Sequence, residues 1–188
     1  MNFTRLRGLY PAMPMSTPKE ALRAGMGALI GLGVAGFLLS FFDLQGAGLY
    51  LIAPFGASSV LLFAVPNSPL AQPWSAIVGN SVSALAGIAV CHVVSDPVLC
   101  VALAVGVAIA AMILLRAVHP PGGAVAMVAA LSPDLVADLG FRFAVTPVGV
   151  VTGILVLIAV FYARATGRTY PLRHFDDKST HDTADRPP

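Results

Sequence analysis

Four stretches of this chain, residues 21–42, 73–94, 97–115 and 143–163, are apolar over a length that matches a lipid bilayer. About 20 helical residues at 1.5 Å each span the roughly 30 Å hydrocarbon layer, so each stretch reads as a transmembrane helix. Arg23 sits at the start of the first one, where a long basic side chain can reach back to the interface. Composition supports the same class. Of the 188 residues, 57% are hydrophobic and 11% charged, against about 25% charged in ordinary soluble chains. Mean hydropathy is +0.83. Soluble enzymes, nucleic-acid binders and disordered proteins are set aside on this balance. The expected fold class is an all-α polytopic membrane protein, with the lipid bilayer as its first partner and no nucleic acid.

Two further apolar stretches carry proline and glycine. Residues 48–65 hold Pro54 and Gly56 in their middle, and residues 118–131 open with His119-Pro120-Pro121-Gly122-Gly123. After each Pro-Gly element only about 10–12 good helix formers follow, roughly 16–18 Å of helix. Both are expected to be broken, short helices held inside the bundle, because lipid cannot satisfy a non-helical backbone. The chain therefore reads as six membrane segments, four full spans plus two short ones that either cross or re-enter. Residues 1–20 form an N-terminal segment, 21–164 the membrane domain, and 165–188 a polar tail expected to be disordered.

The charges orient the bundle. With the N-terminus in the cytoplasm and six crossings, ten of the eleven basic residues fall inside and only Arg142 falls outside. The outer connections carry Asp43, Asp96, Asp134 and Asp138 instead. Both termini are thus expected in the cytoplasm, with the cell (inner) membrane as the location. No cleavable signal peptide is evident.

Internal similarity divides the segments into two groups of three. Residues 53–64 align with 119–130, placing Pro54 over Pro120, Gly56 over Gly122 and Ala64 over Ala130. In the following spans Gly79 and Ser83 correspond to Gly149 and Gly153, and Gly27, Gly31 and Ala35 correspond loosely to Ala102, Gly106 and Ala110. Three crossings per unit force the two copies into inverted orientation. Small residues four apart define close helix contacts, not chemistry.

Candidate chemistry gathers at the two Pro-Gly elements. A helix that begins inside the membrane aims free amide groups and a positive dipole end at whatever lies before it, which suits an anion. Gly122 and Gly123 at one start, and Gly56, Ala57, Ser58 and Ser59 at the other, are the expected substrate-binding groups. His119 adds a proton site whose occupancy is linked to that of an anion; as an alternative it only ties down the helix start. Asn80, Ser81 and Ser83 line a polar pathway or bond between helices. His92 reads as a packed or interfacial residue, and Arg116 as an interface charge. Gln72 and Trp74 mark an interface. Cys91 and Cys100 read as packing thiols. No nucleophile and base set, metal-ligand cluster or cofactor motif is present, so no enzyme, metal or cofactor is expected.

The strings HPP at 119–121, APFGASSVLLF at 53–63 and SPLAQP at 68–73, in this order, resemble the HPP family of integral membrane proteins. The likeness covers about residues 20–165. That family is usually described with four membrane helices and is thought to contain transporters, with nitrite transport attributed to some members. Some carry a C-terminal CBS regulatory domain, and regulation through such a domain is not expected here. The resemblance implies a transporter or channel for a small inorganic anion such as nitrite; the residues themselves add proton coupling through His119. A carrier of another small solute and a non-transporting scaffold or sensor subunit are the alternatives. A six-segment bundle this small suggests a homo-oligomer.

The ten-to-one division of basic residues makes a direct prediction. In a cysteine-free background, an impermeant thiol reagent applied to intact cells should label Cys introduced at Asp96 and not at Lys178. The reverse pattern would mean the opposite orientation.

Overall fold

The computed structural model describes residues 13–42, 48–132 and 138–172, with residues 48–50 described by backbone alone. The N-terminal segment to residue 12, Asp43 and Asp134 in their loops, and the polar tail from residue 173 lie outside the described residues. Among the described residues the architecture is helical. Helix α1 covers Pro18–Leu39, α2 Gly48–Ser59, α3 Pro73–Cys91, α4 Pro97–Leu114, α5 Pro121–Leu131 and α6 Val150–Ala165. A wide π-type turn, Val60–Ala64, prolongs α2; another, Ala144–Gly149, leads into α6. A short 3-10 turn, Pro69–Ala71, precedes α3.

Proline opens α1, α3, α4 and α5, where its missing N–H loses no hydrogen bond. Thr17 caps α1 by accepting from the Glu20 amide at 3.2 Å, and Asp96 caps α4 through Leu99 N–H at 2.8 Å. Four helical stretches are long and apolar enough to cross a membrane: Pro18–Leu39, Pro73–Cys91, Pro97–Leu114 and Ala144–Ala165. The two shorter apolar helices expected between them are also present.

The first of these two begins earlier than its sequence suggests. Helix α2 starts at Gly48 and runs straight through Pro54 and Gly56. The proline removes one backbone hydrogen bond, but leaving the helix there would strand several more away from water. Together α2 and its wide turn cover residues 48–64, roughly 25 Å of helix. The irregularity expected at Pro54 appears instead in the last span. Thr146 there has extended dihedrals (φ −132°, ψ 111°), as the residue before a proline favours.

The helices alternate in direction. Tyr162 Oη donates to the Arg23 carbonyl at 2.8 Å, and an Arg23 guanidinium N–H donates to the Phe63 carbonyl at 2.9 Å. The start of α1 and the ends of α2 and α6 therefore share one end of the bundle, here the near end. Trp74 Nε1 donates to the Leu115 carbonyl at 3.2 Å, and Tyr170 Oη to the Ala71 carbonyl at 2.8 Å. These bonds put the start of α3 and the end of α4 at the near end as well. Burial raises the Tyr170 phenol above its ordinary pKa. At the far end the His92 ring stacks on Phe141, with centroids 5.8 Å apart. Helix α5 runs beside α3 in the same direction, from Gly79 past Ser83 to Gly87.

Helix α1 packs on α2 and α6, while α4 packs on α3 and α5. Each of these two outer helices buries one stripe four residues apart: Gly27, Gly31, Ala35 and Leu39 on α1, and Cys100, Ala104, Ala108 and Met112 on α4. The α4 stripe corrects the sequence alignment. Ala102, Gly106 and Ala110 all face outward, two positions round from the packed face. On so uniformly apolar a helix, with small residues on both faces, neither hydropathy nor residue size marks the inner side. On α1 the two glycines make a notch for Phe63, whose ring meets Tyr162 edge-on at 5.8 Å.

One of the tightest approaches is between α3 and the lead-in to α5. A Cβ on Gly79 would stand 2.5 Å from the Ala117 carbonyl oxygen and 2.8 Å from His119 Cβ. Gly79→Ala should therefore lower stability by about 1–3 kcal/mol through overpacking. Gly106→Ala, where no neighbour lies within 4 Å, should melt at or above the wild-type temperature. Thermal unfolding of both variants in detergent tests the contact, and equal melting of Gly79→Ala and wild type would refute it.

Candidate functional site

His119 is the most enclosed titratable group in the middle of the bundle, with no exposed surface. It is held in the irregular connection between α4 and α5, residues 117–119, which brings it against α3. The SPLAQP string builds its seat. Ser68 caps the 3-10 turn, Gln72 Nε2 donates to the carbonyls of Pro66 and Ser68, both at 2.9 Å, and Ser75 Oγ donates to that of Pro69 at 3.0 Å. These bonds leave the Leu70 carbonyl facing the imidazole, which it meets through Nδ1 at 2.8 Å. A carbonyl only accepts, so Nδ1 carries a hydrogen. The other ring nitrogen, Nε2, lies 2.9 Å from Ser58 Oγ on α2.

The polar contacts continue inward. Asn80 Nδ2 on α3 donates to Ser58 Oγ at 3.5 Å and to Thr152 Oγ1 on α6 at 3.2 Å. Ser58, Asn80, Thr152 and His119 are all fully buried and come from four different parts of the bundle. Asn80 Oδ1 and Ser83 Oγ have no hydrogen-bond partner, although both are buried. They sit three residues apart, on neighbouring positions of one α3 face. Ser83 Oγ borders the first turn of α5, 2.5 Å from where a Gly122 Cβ would stand.

Of the residues picked out from sequence, His119 and Ser58 meet directly. The others take different places. Ser59 turns its hydroxyl back onto the Phe55 carbonyl at 2.9 Å. Ala57 faces outward, and Gly56 is half-buried on the α1 side, nearest Leu32. Because α2 begins at Gly48, residues 56–59 lie inside a helix and do not form a helix start. Gly122 and Gly123 do occupy the first turn of α5. Their amides, however, donate to the carbonyls of His119 at 2.8 Å and Pro120 at 3.1 Å, which fills the groups expected to be free. Gly122 serves close packing against the Gly79 carbonyl and Met112.

The sequence left Asn80 and Ser83 between lining a pathway and bonding between helices, and did not single out Thr152 or the Leu70 carbonyl. A backbone carbonyl leaves no mark in sequence. An Asn and a Thr on two separate apolar spans were the available signal. His92 stays apart from the cluster, its Nδ1 bonded to the Ile88 carbonyl at 2.8 Å. Arg116 closes α4 with a left-handed φ of 54° and lies exposed. Among the described residues no three His, Cys, Asp or Glu side chains converge as metal ligands.

Among the described residues, charge is confined to the ends. A far-end depression of about 620 Å³ is lined by Phe41, Phe42, Leu139, Arg142 and Thr146, among others. A near-end one of about 670 Å³ holds Lys19, Glu20, Arg23 and Arg168. Glu20 pairs there with both Arg23 and Arg168.

The HPP transmembrane region matches residues 13–171, nearly the whole described chain. Two transmembrane proteins of Dictyostelium discoideum are similar, one 34% identical over 154 residues and the other 36% over 129. The matched parts make up 78% and 65% of this chain but 49% and 44% of the relatives, so the chain spans about half the length of the curated relatives it matches. No solved structure matches. A match along 13–171 that includes the His119 seat, the SPLAQP platform and all six helices identifies the chain as a member of the HPP family of integral membrane proteins.

Proposed function

We propose that this chain moves a small inorganic anion, nitrite first among them, across the membrane between α2, α3, α5 and α6. The observation that carries the reading is the polar file His119–Ser58–Asn80–Thr152, closed at zero exposure with Asn80 Oδ1 and Ser83 Oγ unpartnered. An unsatisfied buried polar atom costs about 1–3 kcal/mol, which helix packing alone gives no reason to retain. Polar groups inside a membrane bundle mark solute pathways as a rule. The choice of nitrite comes from the family resemblance. Arg142 at the far end and Lys19 with Arg168 at the near end would draw anions to both mouths.

An inverted pair of three-helix units supports alternating access. The outer helix of each unit, α1 or α4, packs on the last helix of the other unit, α6 or α3. Five of the six described basic residues, Lys19, Arg23, Arg116, Arg164 and Arg168, belong to the near end and Arg142 to the far end, which supports a cytoplasmic near end in the cell membrane. A homo-oligomer would cover part of the outward apolar surface of α1 and α4. A second reading, transport of a neutral solute, is favoured by the occupied amides of Gly122 and Gly123 and, among the described residues, by a file whose hydrogen-bond partners are all uncharged.

Purified protein in proteoliposomes should take up nitrite faster than protein-free vesicles. If uptake is coupled to protons through His119, His119→Ala should flatten its pH dependence. His119→Gln keeps a donor and an acceptor but does not titrate; it should restore stability without restoring the pH profile. Uptake across a pH series, at matched protein levels, distinguishes the roles. A Gln variant with the wild-type profile would make His119 a structural tie.

A further inference from the structure

We infer that Asn80 is the specificity-determining residue of this site, and that the proton on His119 sets which end of its amide the solute meets. The inference rests on the transport reading above and adds the element that reads the solute.

The hydrogen bonds of the file run in one direction. The Leu70 carbonyl requires a hydrogen on His119 Nδ1, so in the neutral ring Nε2 is an acceptor. The Ser58 hydroxyl, 2.9 Å away, must then spend its only hydrogen on Nε2. What Ser58 has left for Asn80 is a lone pair, and only the amide NH2 can bond to it. Nδ2 is thereby held between Ser58 and Thr152, and Oδ1 becomes the free end. A site that offers a bare carbonyl oxygen takes a hydrogen-bond donor and repels an ion that carries lone pairs alone.

Protonation of His119 reverses the sequence. Nε2–H now donates to Ser58 Oγ, and the serine hydrogen is released toward Asn80. The amide satisfies both hydroxyls by turning over, so that Oδ1 accepts from Ser58 and Thr152 and Nδ2 takes the free position. The two ends of an amide are nearly the same size, and the Ser58 link is long at 3.5 Å, so the turn needs no repacking. The free end is now a donor, with the Ser83 hydroxyl beside it able to donate as well. That state takes an anion. The groups around the file are Ser58 from α2, the Leu70 carbonyl, Gly79, Asn80 and Ser83 from α3, Gly122 from α5 and Thr152 from α6. None of them titrates or carries charge, so His119 alone sets the polarity.

The test uses the full chain, labelled with ¹⁵N-histidine in lipid nanodiscs, with His119 assigned through His119→Gln. Its neutral form should be the Nδ1–H tautomer; the Nε2–H tautomer overturns the proposal. Saturating nitrite should raise the proton affinity of His119 by about 10-fold, within the usual range for coupled sites. An unchanged titration also overturns it. Ser58→Ala cuts the relay while leaving the Leu70 bond in place, so it should keep the tautomer and lose the coupling. Asn80→Leu should do the same. Coupling that survives in either folded variant shows that the solute senses the imidazole directly and removes Asn80 from the role. Coupling intact in nanodiscs with no flux in vesicles would sink the transport reading and leave this one standing.

Discussion

The centre of this bundle depends on how closely the start of α5 can lie against α3. Gly79 presents bare backbone to the Ala117 carbonyl and to His119, and Gly122 answers with bare backbone against the Gly79 carbonyl. Without both glycines the connection from α4 would be pushed away by the width of a side chain. His119 would then lose either the Leu70 carbonyl or Ser58, since both bonds are short and point in opposite directions from the ring. The small-residue contact and the polar file are one construction. Close packing holds an imidazole where no water reaches, and that enclosure makes its hydrogen bonds directional.

The same constraint explains where the backbone departs from regular helix. Lipid offers no hydrogen bonds, so irregular segments survive where protein surrounds them. The 3-10 turn before α3 is enclosed by Gln72 and Ser75, which spend their side chains on its carbonyls. The extended Thr146 is the exception, exposed at the far end beside a depression and set by the proline that follows it. The lead-in at 117–119 rests on α3. Breaks are placed by available partners more than by proline alone, which is why Pro54 stays inside a helix.

Much of this was legible in the amino acids. The length of the apolar runs determines the class and the spans, and prolines at 18, 73, 97 and 121 mark helix starts because position N1 needs no N–H. His119 stands out because a titratable residue beside Pro-Pro-Gly-Gly in an apolar chain has few bland explanations. Three features were not legible. The inward face of α4 carries Ala104 and Ala108 and the outward one Ala102 and Gly106, among residues of nearly equal hydropathy. Helix continuity through Pro54 depends on surroundings that sequence does not display. The partners of His119 come from positions 58 and 70, and one of them is a main-chain oxygen.

Glu20 fastens the first helix to the last by holding Arg23 and Arg168 together, while Tyr162 bonds across to the Arg23 backbone. The first and last helices thus lie side by side, with the seam between the two ends of the bundle at the near end. Where first and last elements meet in this way, the position of the seam is arbitrary. A short linker from Arg168 to Thr17, with new ends cut in the connection at residues 93–95, would keep every helix contact and exchange the order of the two halves. What the fold requires is the neighbour relation of α1 with α6 and of α3 with α4, and covalent continuity is needed across only one of those two junctions.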